Sequence, residues 1–346
     1  MIIITGISGQ DGSLLLEYLL KNTDHFIIGT TRNIEKKDPA MESHLHLYPD
    51  RLHLENLNIL DQDSIKTLIQ KTKPDYFIHF AAQSLISESW IDPFKTFQSN
   101  SFAVLSILEN IRLSCPHCRF LSCGSSEEFG KVEYEPQDLA HPMKPRNPYG
   151  ASKCAERFII HTYRECFNLY ALHCIFFNHE GTNRSHSFVT RKITSSIARI
   201  KHEILRGDKP TPFYLGNIFT QRDWSDSEDF MRAVWLMLNQ EQPREYLLAS
   251  GESHTLKEFI DLTCQFANLD VQWELNETDP LQTKLLLDDD IIMTIDEKFF
   301  RPNDKKFFVG DPSETETLLS YKPKISFYQL VEKMYWNDYH ILKKKD

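Results

Sequence analysis

The sequence predicts an α/β fold: a doubly wound parallel sheet with a smaller C-terminal mixed α/β domain. Three observations predict it. In the first half of the chain, short β-branched or aromatic runs alternate with apolar residues at helical spacing, the pattern of strand–helix–strand units with a parallel sheet. A glycine-rich turn joins the first strand to the first helix. The length of 346 residues suits two domains at about 150 residues each, with cores that need no disulfide or metal.

Taken in order, Ile2–Thr5, His25–Gly29, Leu52–Leu57, Tyr76–Phe80, Phe120–Ser122 and Ala171–Phe177 read as strands. Leu14–Leu20, Ile65–Ile69, Phe102–Ile111 and Ala155–Phe167 have helical periodicity. The proline-rich stretch His141–Pro148 interrupts any helix and is expected to be a surface loop. Past residue 178 the alternation weakens. Gly207–Gly216 is turn-rich, Glu228–Leu238 and Leu256–Phe266 are helical in period, and Asp270–Asp290 is polar and acidic, with Asp288–Asp290 expected as a solvated loop.

Charged residues at 25% and hydrophobic residues at 41% are an ordinary globular mixture and exclude a mostly disordered chain. No apolar run approaches about 18 residues, so no membrane-spanning helix is expected. The N-terminal segment has no basic flank and no small-residue cleavage site, so no secretory signal is expected. The net charge of −10 argues against nucleic acid as the main partner. Seven cysteines, an odd number, fit reduced thiols in a cytoplasm. Cys115-Pro-His-Cys118 lacks the second pair that a zinc site needs, so no metal is expected. Lys343–Lys345 reads as a solvated tail.

Gly6, Gly9 and Gly12 form a GxxGxxG motif between the strand Ile2–Thr5 and the following helix. Gly6 suits a tight turn, Gly9 lets backbone N–H groups approach a pyrophosphate, and Gly12 lets the helix pack on the sheet. The helix N-terminus then faces the phosphates. This is the arrangement of a Rossmann dinucleotide site. After the second strand, Arg32 is well placed and no acid occurs until Glu35. An arginine there suits the 2′-phosphate of NADP, where NAD would want a carboxylate; the alternative is an exposed arginine with Asn33 contacting either ribose. The expected division is 1–177 as an NADP-binding domain, to which some later segments return, and 178–346 as mainly a substrate domain.

Tyr149 and Lys153 are four residues apart, on one face of a helix. A neighbouring ammonium favours the phenolate of a tyrosine, which then takes a proton from a sugar hydroxyl. Ser125, Glu127 and Glu128 follow the strand Phe120–Ser122, at a carboxyl strand end where ligands of such sheets bind. Ser125 offers a hydroxyl to the reacting oxygen, and either glutamate is a candidate acid–base residue.

Several segments together are specific: Thr5–Ser13, Ala81–Ser84, Ser125–Val132, Asn147–Lys153, Phe177–Glu180, Phe188–Ile193, Leu215–Asn217, Arg222–Trp224 and Arg301–Pro302. In these the chain resembles the extended short-chain dehydrogenase/reductase superfamily and, within it, the GDP-mannose 4,6-dehydratase family. The resemblance implies catalytic roles for Ser125, Glu127, Tyr149 and Lys153, and leaves Glu128 where the family usually has an aliphatic residue. It implies that Ser8, Gln10, Asp11, Asn58, Ile59, Ala81, Ala82 and Gln83 border NADP with the three glycines and Arg32. It places Ser84, Ser126, Asn178, Val189, Lys192 and Leu215 along a GDP-sugar, and Arg222 and Arg301 on its diphosphate. A homodimer or homotetramer is also implied.

The implied reaction oxidises C4, eliminates water across C5–C6 and returns hydride to C6. Gly181–Ser185 departs from the family's Ser-Pro-Arg-Arg-Gly, and Asn58-Ile59 and Asn303–Lys306 also depart from its pattern. These changes point to GDP-mannose or a related GDP-manno-sugar such as GDP-D-glycero-D-manno-heptose. A 4-epimerase or 4-ketoreductase on the same scaffold would need Tyr149 and Lys153 but no acid at Glu127. A non-catalytic NADP-binding regulator would not need the Tyr/Lys pair.

Overall fold

A computed structural model describes residues 1–35, 39–276, 278–299 and 308–344. The chain falls into two compact units, Met1–Phe177 with Ser227–Ala249 and Gly310–Lys322, and Asn178–Asp226 with Ser250–Val309 and Pro323–Asp346.

Unit 1 is built on strands β1 (Ile2–Thr5), β2 (Ile27–Thr31), β3 (Leu52–Asn56), β4 (Tyr76–His79), β5 (Arg119–Cys123) and β6 (Ala171–Phe176). With Glu245–Leu248 they form one sheet in the order Glu245–Leu248, β6, β5, β4, β1, β2, β3. Every pairing is parallel. All carboxyl strand ends therefore share one edge. The connecting helices include α1 (Gln10–Asn22), α2 (Pro39–Leu47), α3 (Gln62–Thr72), α4 (Ile86–Ile91), α5 (Pro93–Phe97), α6 (Ala103–Ser114) and α7 (Pro148–Phe167).

The strand sequence accounts for the layering. In β1 the side chains of Ile2 and Ile4 enter a cluster with Leu15, Leu16 and Leu19 of α1 and with Phe230 and Val234. Ile3 enters the opposite cluster, with Ile65 and Ile69 of α3 and Ile107 and Ile111 of α6. A strand buried on both faces reads as a nearly continuous apolar run.

Unit 2 packs the helices Val189–Leu205, Leu256–Phe266 and Phe327–Lys343 around a second core with a four-stranded sheet. Its strand order is Val271–Glu274, Lys284–Leu287, Asp290–Ile295, Phe213–Leu215. Two short ribbons complete it, Asn178–Glu180 with Trp224–Asp226 and Gln221–Arg222 with His254–Thr255.

Several expectations are corrected. The second strand is Ile27–Thr31 rather than His25–Gly29, because its apolar run continues through Gly29 to two threonines. The acidic segment Asp270–Asp290 holds two strands and the start of a third, and only Asp288 and Asp289 form the turn between Lys284–Leu287 and Asp290–Ile295. Leu285 is buried in the core, so the few apolar positions there decide its structure. In the stretch His141–Pro148, His141 is buried and Pro148 begins α7, where its missing N–H needs no partner. Lys343 ends the last helix and Lys345 lies outside the described residues. No helix among the described residues is long and apolar enough to cross a membrane.

Candidate active site

The glycine turn sits at the carboxyl end of β1. Gly6 has φ +71°, and a Cβ on it would lie 2.8 Å from the Ala81 nitrogen. A Cβ on Gly12 would lie 2.3 Å from the Gly6 oxygen, so α1 packs tightly on the turn. Gly9 is the N-cap of α1 and caps it with no side chain. The first amides of α1, from Gln10, Asp11 and Gly12, are thus offered at a backbone-only cradle with a helix N-terminus behind it, which fits a dinucleotide pyrophosphate. Ser8 and Gly9 are exposed, and Gln10 donates to Asp11 at 3.1 Å.

The other candidate cofactor residues line the same sheet edge. Arg32 is exposed one residue past β2. Asn58 is exposed past β3 and accepts from the Leu60 N–H, while the Ile59 side chain packs against the core. Ala81, Ala82, Gln83 and Ser84 follow β4. The Ala81 N–H donates to Thr5 Oγ1 at 3.2 Å. The Gln83 N–H donates to Asn100 Oδ1 at 3.0 Å, and Asn100 Nδ2 donates back to the Gln83 carbonyl and to Ser152 Oγ. Asn100 is fully buried in a π-helical turn at Gln98–Phe102, and such turns gather at functional sites. It ties the β4 loop to α7 and escaped the sequence reading, where only a lone Asn ahead of an apolar helix marked it.

The four candidate catalytic residues converge at β5 and α7. Ser125 caps a short turn, Ser126–Glu128. Its hydroxyl accepts from the Glu127 N–H at 3.2 Å and stands close enough to the Tyr149 phenol to pull that pKa down. Glu127 is partly accessible, and its Oε2 accepts from Asn147 Nδ2 at 2.8 Å. Asn147 also caps α7 by accepting from the Gly150 N–H at 2.7 Å, so one side chain starts the helix that carries Tyr149 and fixes the carboxylate beside it. Ser126 is buried in the turn.

Lys153 is 4% exposed and donates to the Cys123 carbonyl at 2.7 Å and to Glu156 at 2.9 Å. Burial opposes its charge, but Glu156 and then Tyr149 hold its pKa above the ordinary lysine value. The Tyr149 phenol is pushed above its ordinary value by burial, against the downward pull of Lys153 and then of Ser125. The expected lowering by Lys153 is therefore present but outweighed. Burial, and then the charge of Lys153, lower the neighbouring His79 to about 3. His79 is therefore a neutral imidazole, paired with Thr5 Oγ1 at 2.8 Å.

Unit 2 carries the remaining candidates. Asn178 opens its ribbon opposite Trp224. Val189 and Lys192 stand in the first turn of Val189–Leu205. The Lys192 ammonium lies 3.7 Å from the centre of the Phe299 ring, and its pKa is lowered by burial and by Lys298. Arg222 faces His254 across its ribbon and lies 5.5 Å from the Phe308 ring. Leu215 is a correction: its side chain is 1% exposed in the core, so it has only backbone to offer a ligand. Arg301 lies outside the described residues. Among the described residues no group of three or more His, Cys, Asp or Glu side chains is arranged to hold a metal ion.

A family model described as GDP-mannose 4,6 dehydratase matches residues 3–334. The chain belongs to this family. GDP-mannose 4,6-dehydratase relatives span nearly all of it. That of Drosophila melanogaster is 34% identical over 99% of this chain and 87% of its own length. That of Homo sapiens is 32% identical over 99% of this chain and 92% of its own. Solved structures share the fold. RMD from Pseudomonas aeruginosa complexed with NADPH superposes with TM-score 0.76 at 22% identity, over 98% of this chain and 99% of that one. UDP-glucose 4-epimerase of Thermotoga maritima with UDP-glucose gives 0.79 at 18% identity, over 100% and 99%. Membership of the GDP-mannose 4,6-dehydratase family thus rests on sequence, and the solved structures add the fold alone.

Proposed function

We propose that the protein is an NADP-dependent GDP-sugar 4,6-dehydratase acting on GDP-mannose or a closely related GDP-manno-sugar such as GDP-D-glycero-D-manno-heptose. The observation that carries this reading is a partly accessible carboxylate, Glu127, held by Asn147 on the turn that also places Ser125 near Tyr149. A 4-epimerase or 4-ketoreductase has no use for that second acid–base group.

In this reading the glycine turn, Ala81–Gln83 and Lys153 hold the dinucleotide, and Arg32 selects the 2′-phosphate. A nicotinamide dinucleotide held there would supply the hydride acceptor for oxidation at C4 and the hydride donor for return at C6. Tyr149 takes the proton of the 4-hydroxyl, and Ser125 orients that oxygen by its own hydroxyl. The 4-ketone acidifies the C5 hydrogen; Glu127 removes that proton and passes it to the C6 hydroxyl, which leaves as water. Tyr149 then returns a proton to C5. Lys153 keeps a fixed positive charge beside the phenol throughout, which favours the phenolate. Unit 2 supplies Asn178, Val189 and Lys192 along the nucleotide sugar and Arg222, with Arg301, to its diphosphate, where a planar guanidinium matches phosphate oxygens.

A homodimer or homotetramer is supported by exposed apolar side chains on α4, α5, α6 and α7: Ile91, Phe94, Phe102 beside α6, Leu105 and Phe158. Free thiols at all seven cysteines suit the reducing cytoplasm. The test is incubation of the pure enzyme with a panel of GDP-, UDP- and dTDP-sugars, with mass spectrometry for loss of one water. Turnover of a GDP-manno-sugar with water loss is expected. Conversion without water loss would replace the dehydratase by an epimerase or reductase.

A further inference from the structure

The proposed chemistry leaves three ionisable side chains without a role, although Glu128, Glu156 and His173 are each 0% exposed. They are contiguous with the two ends of the catalytic group. At one end, Glu128 Oε1 accepts from the Ser125 N–H at 2.8 Å and closes the turn that carries Glu127. At the other, Glu156 Oε2 accepts from the Lys153 ammonium at 2.9 Å and its Oε1 accepts from Ser122 Oγ at 2.6 Å.

His173, on β6, stands between them. Its Nε2 is 3.1 Å from Glu128 Oε1, and its Nδ1, buried without a hydrogen-bond partner, is 4.0 Å from Glu156 Oε1. Gly124 makes the room. A Cβ there would lie 2.3 Å from both Glu128 Oε1 and His173 Nε2.

The charges can be counted. Lys153 balances Glu156. Arg157, whose charge also reaches Glu128, is engaged by Glu245 at 2.6 Å. The thiols of Cys154 and Cys174 beside Glu128 are pushed up in pKa by burial and then by that carboxylate, so they are neutral. What remains opposite Glu128 is His173. A buried carboxylate without a partner is strongly unfavourable, so the contact between Glu128 and His173 holds both side chains in place.

We infer that Glu128, His173 and Glu156 are positioning residues: a buried relay that fixes the Ser125–Glu127 turn relative to the Lys153 ammonium. The kinetic arm of the test rests on the dehydratase reading; the stability arm does not.

The test pairs His173→Leu with the double variant His173→Leu/Glu128→Gln. The single variant leaves Glu128 uncompensated. In the double variant the glutamine keeps an oxygen for the Ser125 N–H but no charge. With wild-type turnover of GDP-mannose as the control, His173→Leu is expected to lower kcat by about 10- to 100-fold with KM changed little, the scale of a small misplacement in an active site. Reduced nicotinamide should build up during its turnover, because the displaced turn carries the elimination base. The double variant is expected to recover kcat to within about 3-fold of wild type, since directly coupled sites are not additive. Thermal unfolding midpoints should fall and recover in the same order. If His173→Leu does not fold, recovery of folding in the double variant supports the relay and its failure overturns it. Full activity in His173→Leu, or a double variant no better than the single, overturns it as well. Failure of the wild type to dehydrate any GDP-sugar would count against the functional reading alone, and the unfolding series would then decide the relay.

Discussion

In unit 1 the candidate residues hang from strand ends and buried partners. Ser125 and Glu127 sit on a turn held by Glu128, and Lys153 lies between the Cys123 carbonyl and Glu156. In unit 2 the candidates stand in a helix's first turn and on two-residue or three-residue ribbons, with cations resting on aromatic rings. The first arrangement holds side chains in fixed positions, as general acid–base chemistry requires. The second presents long cationic side chains, which suit an anion. On the proposed function, the reaction type rests on the buried polar contacts of one unit and substrate choice on the side-chain ends of the other.

The largest effects should therefore come from unit 1. Tyr149→Phe is expected to lower kcat by about 10³- to 10⁴-fold, with no reduced nicotinamide formed on mixing with substrate. Survival of oxidation in that variant would break the assignment. Glu127→Gln should lower dehydration by about 10²- to 10³-fold while C4 oxidation persists, so reduced nicotinamide accumulates in stopped-flow absorbance. Full dehydration in it would remove Glu127 from the chemistry.

Next comes stability. Arg157→Ala leaves Glu245, which is partly buried and hydrogen-bonded to Arg157 at 2.6 and 3.0 Å, largely uncompensated, at a cost of about 3–5 kcal/mol in denaturant unfolding. Burial alone would raise the Glu245 pKa, but Arg157 holds it below the ordinary value. The folded state thus binds fewer protons there than the unfolded one. The stabilisation is full above the unfolded value of 4.5 and is lost as pH falls through the lower folded value. A wild-type stability that did not decline in acid relative to the variant would show the pair to be inert.

Smaller effects should separate the ligands. Arg32→Ala is expected to weaken NADP binding by about 10- to 100-fold and leave NAD nearly unchanged in a binding titration. Equal losses would make Arg32 structural. Arg222→Ala should raise the substrate dissociation constant by about 10-fold with NADP affinity intact. Unchanged substrate affinity would put the diphosphate elsewhere.

Much of unit 1 was legible in the sequence because its signals are local. A strand buried on both faces reads as a nearly continuous apolar run, as Ile2-Ile3-Ile4 does, and a glycine at φ +71° beside a backbone nitrogen has no substitute. The returns of Ser227–Ala249 and Gly310–Lys322 to unit 1 were legible only in outline, since which sheet edge a strand joins is a long-range choice. The hairpin within Asp270–Asp290 was hidden because its exposed positions are acidic and its buried ones few. Among site residues, Tyr149, Lys153, Ser125 and Glu127 stood out by spacing. Asn100 and His173 did not, because their partners are far away in sequence, Ser152 for Asn100 and Glu128 for His173. The available signal was a charged or polar residue inside an apolar run, as His173 is in Ala-Leu-His-Cys-Ile-Phe. The two adjacent glutamates could not be ranked by chemistry alone. Glu127 is partly accessible and Glu128 is fully buried.

The central claim, that this site eliminates water by way of a C4 oxidation, is tested most directly with GDP-mannose deuterated at C4. The account predicts that the product is lighter by one water and carries the deuterium at C6. Deuterium found only at C4, or a product that keeps its water, would contradict it.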